Sequence, residues 1–398
     1  RDAIVEIKDI RPTWDNNKYS PSRATRIMKD GRKFDFRDVF PSPGEADLGF
    51  YQVVAGDAVV HLSDRLDDKI MLSKGIAFSE VPTPNTYLAE PVAQKRRQAQ
   101  MAYLYHTVRN ATRTTNDPKV AMMSSCADLP SRIAVGQVTY FDGLLTQEAF
   151  TSVITRKPTK DNEDREIISD GTDFYPAKPS GDRLLLDPMP VQTLTSHLGC
   201  AAFVLSSNGT PLFARQSDKN LIGAGKLVSR ASGSMDVADL GSFPRVSDFR
   251  QVVKTNMARE CAEETGFLTP TNKKAHQSIV DKIVDCTLVT GFFRTVDRAG
   301  KPDFLGVIRL SDEFEESGVD DFEIELAHDV GLDIKPFTSM DDFSELHRQV
   351  IDKKINISVS SYAALYRLSV IAGYQDSDDP EKKEVLRLTA DFLSLDYR

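Results

Sequence analysis

The chain has 398 residues, with 50 Lys and Arg against 59 Asp and Glu, for a formal net charge of -9. That length predicts two domains and a helical appendage, and the spread of apolar and aromatic residues excludes disorder as the main state. The acidic balance argues against a general affinity for nucleic acid or anionic membrane, and no apolar run approaches the ~20 residues of a membrane span.

In chain order, residues 49–62 and 133–144 read as strand–turn segments. Glu90-Pro91 opens a helix to about residue 110, with Met101, Leu104, Tyr105 and Val108 as its apolar stripe and Lys95, Arg96 and Arg97 on a solvated face. Residues 157–182 are polar and rich in Asp, Lys and Pro, as in a loop or domain boundary. Residues 200–205, a turn containing Asn208-Gly209 and residues 211–215 predict a β-hairpin. A helix follows over about residues 247–265, stopped by Gly266. A second hairpin joins residues 283–294 to 304–310 through a turn at 297–301. Residues 358–372 form a largely apolar helix. Asp379-Pro380 caps a last one, whose Val385, Leu388, Phe392 and Leu393 serve packing or a homodimer. The resulting division is an α+β N-terminal domain over residues 1–190, an α/β domain over 191–375 and a C-terminal helix over 376–398.

Cys126, Cys200, Cys261 and Cys286 form no CxxC pair, and the six histidines show no zinc spacing. Cys200 and Cys286 sit in apolar runs and read as packing residues. A reducing, cytoplasmic compartment is the expectation.

The chemistry concentrates at the end of the central helix, in Arg259-Glu260-Cys261-Ala262-Glu263-Glu264-Thr265-Gly266-Phe267. At about 100° per residue from Phe249, Val252 falls near ~300° and Val253 near ~40°, which marks the inward face. Glu260 lands near ~20°, Glu263 near ~320° and Glu264 near ~60° on the same wheel. A solvated acidic face would oppose the apolar stripe; these carboxylates share it. Turned toward an interior they repel one another and lose hydration, a cost that a hard divalent cation removes.

These nine residues resemble the second half of the box that marks the Nudix hydrolase superfamily, R-E-U-x-E-E-x-G-U with U apolar. A chance match in a chain of this length is on the order of one in ten thousand. The resemblance spans roughly residues 193–346 and implies an α/β/α sandwich on a mixed sheet, preceded by the separate N-terminal domain. It also implies Mg²⁺ or Mn²⁺ held by Glu260, Glu263 and Glu264, beside the carbonyl of Gly233. The first half of the box departs from the pattern. Gln251 stands where the family has Glu, Arg245 where it has Gly, and the loop after Gly233 is lengthened, with Asp236, Asp239 and Gly241 in it.

The reaction implied is hydrolysis of a pyrophosphate bond in a nucleoside diphosphate linked to another moiety, a nucleotide-type small molecule. Glu263, Glu264 or an acid from residues 312–325 would orient or deprotonate the water, with Arg259 among the catalytic candidates. Arg215, Lys226, Arg230, Arg294 and Lys301 are the candidate phosphate contacts. Phe292, Phe293 and Phe304 are available for base stacking, with core packing as their default. A P-loop is excluded at residues 223–227, which lack its first Gly and its Ser or Thr. Two other readings stay open: a catalytically weak or inactive nucleotide-sensing or assembly module, and a diphosphate-ester isomerase of the same superfamily.

Overall fold

The computed structural model describes residues 10–12, 25–27, 33–55, 58–83, 116–148, 153–156, 167–170, 175–190, 194–215, 226–241, 248–267, 273–317 and 332–397. The strand Gly199–Leu205 is buried along its whole length. Alternate side chains of a strand face opposite ways, so such a strand needs cover on both sides. Cys200, Ala202 and Val204 join one core, with Phe249, Val252, Val253 and Met257 of the helix Phe249–Glu264. Ala201, Phe203 and Leu205 join the other, with Tyr362, Ala363 and Leu368 of the helix Val359–Ala372. Each fully buried Phe or Leu contributes roughly 1.5–3 kcal/mol relative to exposure, so these two cores hold the layers together.

The central sheet has six strands, in the order Ser232–Ser234, Gly199–Leu205, Lys301–Arg309, Thr287–Thr295, Ala58–Leu62, Tyr51–Ala55. Gly199–Leu205 and Lys301–Arg309 run parallel; the other neighbouring pairs are antiparallel. The protein is therefore mixed α/β, with helices on both faces of a mixed sheet. A smaller sheet orders Ala77–Glu80, Arg132–Thr139 and Pro118–Met122. Among the described residues no helix is long and apolar enough to cross a membrane.

The expected division at residue 190 cuts through the central sheet. Residues 49–62, read as a strand–turn segment, form a hairpin, and Val60 and Leu62 pair with Thr295 and Phe293. The helix Asp64–Leu72 then packs on Thr287–Thr295, where Asp67 Oδ1 accepts the Phe292 amide at 2.8 Å. Periodicity marks a hairpin; it says nothing about which distant strand the hairpin joins. The C-terminal helix Pro380–Leu393, capped by Asp379, likewise buries Val385, Leu386 and Leu393 in the second core.

Two other local readings change. Leu205 bridges Pro211, but Phe213–Arg215 then leaves to pair with Leu227–Ser229, so the first hairpin is partial. The second hairpin begins at Thr287, with Ile283 still inside the helix Lys273–Asp285. The predicted helix over residues 90–110 lies outside the described residues.

Buried ion pairs tie distant segments to the sheet. Arg367 reaches Asp68 at 2.6 Å and the Thr290 carbonyl at 3.0 Å, while burial holds the Asp67 carboxyl beside it well above the usual range. Arg294 is fully buried and bonds Glu45 at 2.6 and 2.8 Å and the Asp187 carbonyl at 3.0 Å. Arg294→Met would leave the Glu45 charge without its partner. Urea denaturation should show a loss of about 3–5 kcal/mol, with most of it recovered by the double change Glu45→Leu, Arg294→Met; a loss below about 1 kcal/mol would contradict this reading.

Candidate functional site

The helix Phe249–Glu264 starts where Asp248 accepts the Arg250 amide. Asp248 also accepts the Ile76 amide at 3.0 Å, which fixes the helix start to the segment before Ala77–Glu80. At the other end Gly266 has φ +77°, a left-handed turn that glycine makes without a Cβ penalty. Residues 242–247, with Arg245, lie outside the described residues. Gln251 occupies the first turn and is half-buried.

The carboxylates separate in depth. Glu260 continues the buried stripe of Phe249, Val253 and Met257, and its side chain is 15% exposed. Glu263 is 45% exposed and turns to solvent, contrary to its place on the wheel. Ser232–Ser234 is an edge strand, and by the last turn the helix has no further strand to cover its side chains. Glu264 is exposed as a residue, but its carboxylate is turned in far enough to accept the Ser232 amide. Gly233 pairs with Cys200 in that edge strand, and a Cβ on it would overlap the Glu260 carboxylate. The two residues expected to share a metal are thus in contact.

Arg259 is the electrostatic hub. It bonds Asp239 at 3.1 Å and pairs with Glu260 at 3.0 Å, Asp236 at 3.3 Å and Glu263 at 3.4 Å. Asp239 is 3% exposed and also accepts the Asp236 amide at 2.9 Å and Asn256 Nδ2 at 3.1 Å. Lys119 forms an ion pair with Asp236. Burial, then repulsion from Glu263, outweighs the pull of Arg259 and Lys119 and raises Glu260 to about 7. Burial and the charge of Glu260 raise Glu264 to about 8, against the Ser232 amide and Arg230.

The five candidate phosphate contacts have different fates. Arg230 is beside the carboxylates, donating to the Glu264 carbonyl at 3.1 Å. Arg215 is exposed and Lys226 buried, at the far end of the Phe213–Arg215 and Leu227–Ser229 pair from Arg230. Arg294 and Lys301 are corrected. Arg294 is spent on Glu45, and Lys301, 2% exposed, on Asp303. Asp303 is the same-face neighbour of Lys301 two residues along its strand, whereas Glu45 is 249 residues from Arg294 and has no local signal. Phe292, Phe293 and Phe304 are core residues. The acidic run comes near the helix end through Phe314, whose ring packs 5.1 Å from that of Phe267, while residues 318–325 lie outside the described residues.

Lys119, Asp239 and Asn256 belong to the site without having been singled out for a role. Asp239 carried a weak signal, as an acid in a lengthened loop. Lys119 carried none, lying 117 residues before its partner.

Glu260 and Glu264 suit a divalent cation. Both are pushed toward their protonated forms by burial and then by the charge of neighbouring glutamates, a cost that an oxygen-seeking ion removes. Glu263 is more exposed than Glu260 and pairs with Arg259 at 3.4 Å. Among the described residues no group of three or more His, Cys, Asp or Glu forms a ready-made metal cluster. Two carboxylates suit Mg²⁺ in particular, which keeps several waters and takes further oxygens from phosphate. Compared with known proteins, the chain matches no family model and no curated protein.

Without metal, the raised carboxyls make the folded state bind more protons than the unfolded state between the ordinary 4.5 and about 7 to 8. Stability from these groups is therefore present at low pH and lost as pH rises through that window. Glu260→Gln removes one of the two titrations. The stability of this variant minus that of wild type, from urea unfolding in chelator, should rise between pH 5 and pH 8. A flat or falling difference would contradict the assigned shift.

Proposed function

We propose that the chain is a Nudix-type, Mg²⁺- or Mn²⁺-dependent hydrolase of a pyrophosphate bond in a nucleoside diphosphate linked to another moiety. The observation that carries this reading is the contact between Gly233 and the buried Glu260 carboxylate, at the end of a helix whose sequence matches the box. The α/β/α layering about a mixed sheet supports it as well. A divalent ion bound there would neutralise phosphate charge and lower the pKa of an attacking water.

The chain's own residues divide the remaining work. Glu260, the most buried, is assigned as the principal ligand, with the Gly233 carbonyl beside it. Glu264, at the helix end next to Glu260 and reached by the Ser232 amide, is assigned as the group that orients the water and takes its proton. Arg259 orients Glu260 and Glu263, and Arg230, beside Glu264, is the first candidate to meet a substrate phosphate. A second reading, a nucleotide-binding module without turnover, is favoured by Gln251 in place of a carboxylate and by the outward turn of Glu263.

A panel of dinucleotides, nucleotide sugars and nucleoside triphosphates with Mg²⁺ or Mn²⁺ separates the two. Hydrolysis of at least one class is expected, with Glu264→Gln lowering kcat by roughly 10²–10⁴-fold. No turnover on any member, with nucleotide binding kept in Glu260→Gln and Glu264→Gln, would leave only the binding module.

A further inference from the structure

Lys119 enters the site from the smaller sheet. Its strand Pro118–Met122 lies along two segments that build the site: the Val120 amide donates to the Met235 carbonyl at 3.0 Å, and the Leu198 amide to the Val120 carbonyl at 2.9 Å. Lys119 and Asp236 are also bridged through their backbones, so the side-chain pair sits on a fixed base. The Lys119 side chain is only 13% exposed, which shields the pair from the screening that weakens surface ion pairs.

Asp236 is shared between Lys119 and Arg259, and Arg259 also serves Asp239, Glu260 and Glu263. A second cation on Asp236 holds the loop after Gly233 without drawing Arg259 away from the glutamates. We propose that Lys119 is a positioning residue for this loop: it holds Asp236, and through it Gly233, against the helix that carries Glu260. The region before residue 190 then supplies part of the site that the box alone does not encode. The effect on metal binding rests on the function proposed above; the effect on the loop does not.

The sign of the effect separates positioning from mere charge. As a bare positive charge, Lys119 opposes a divalent cation, and its removal would tighten binding. As a positioning residue, its removal loosens the loop and weakens binding, a loss of roughly 10–100-fold for groups that orient a ligand.

The test uses the full chain and its Lys119→Gln and Lys119→Arg variants. Mn²⁺ affinity is read by electron paramagnetic resonance, and amide hydrogen exchange of residues 232–239 is read without metal. Lys119→Gln should bind Mn²⁺ at least about tenfold more weakly and exchange its loop amides faster. Amides of Thr287–Thr295 should keep wild-type rates, which shows that the fold is retained, and Lys119→Arg should restore both properties. Unchanged loop exchange overturns the proposal, as does unchanged or tighter Mn²⁺ binding in Lys119→Gln. A wild-type chain that binds no Mn²⁺ contradicts the metal reading, and loop exchange then decides the role of Lys119 on its own.

Discussion

The charge balance at the end of the helix Phe249–Glu264 governs the rest of the site. Five carboxylates, from Asp236, Asp239, Glu260, Glu263 and Glu264, share three cations, Lys119, Arg230 and Arg259. Among the described residues these ion pairs leave two more carboxylates than cations, and Glu260 is held under Gly233 where water cannot solvate it freely. Burial first, and repulsion between neighbouring glutamates after it, favours protonation and raises Glu260 to about 7 and Glu264 to about 8. Under the metal reading proposed above, one divalent cation would take the place of those protons, and the balance between the two forms would depend on pH.

The scaffold keeps the deficit in place. Burial of Gly199–Leu205 on both faces fixes the edge strand Ser232–Ser234 beside it, and the apolar stripe from Phe249 to Met257 fixes the helix above. Glu260 therefore cannot swing out to solvent without disturbing the core. The hairpin of residues 51–62 and the strand Pro118–Met122 complete this frame from regions outside the box. The unit that builds the site is larger than the unit that carries the recognisable sequence.

Much of this was legible locally. Asp248 and Gly266 bound the helix near where capping chemistry puts its ends, the wheel placed Glu260 inward, and the family resemblance put Gly233 beside it. The wheel failed for Glu263 because angular position decides burial only while a neighbouring layer lies above it. The reading of Arg294 and Lys301 as phosphate contacts failed because each is held by a buried acid: Asp303 lies two residues on along the same strand, and Glu45 lies 249 residues away in sequence. Lys119 was illegible for the same reason: non-local pairing has no periodic signature. Interior ion pairs are the part of such a site that only tertiary structure reveals.

Exchange of protons for metal is open to direct measurement. Calorimetric titration of Mg²⁺ or Mn²⁺ in buffers of different ionisation enthalpy counts the protons released per bound ion. Near pH 6.5 binding should release between about one and two protons, and near pH 9 almost none. Binding with no proton release at pH 6.5, or no binding at either pH, would contradict a site neutralised by metal at Glu260 and Glu264.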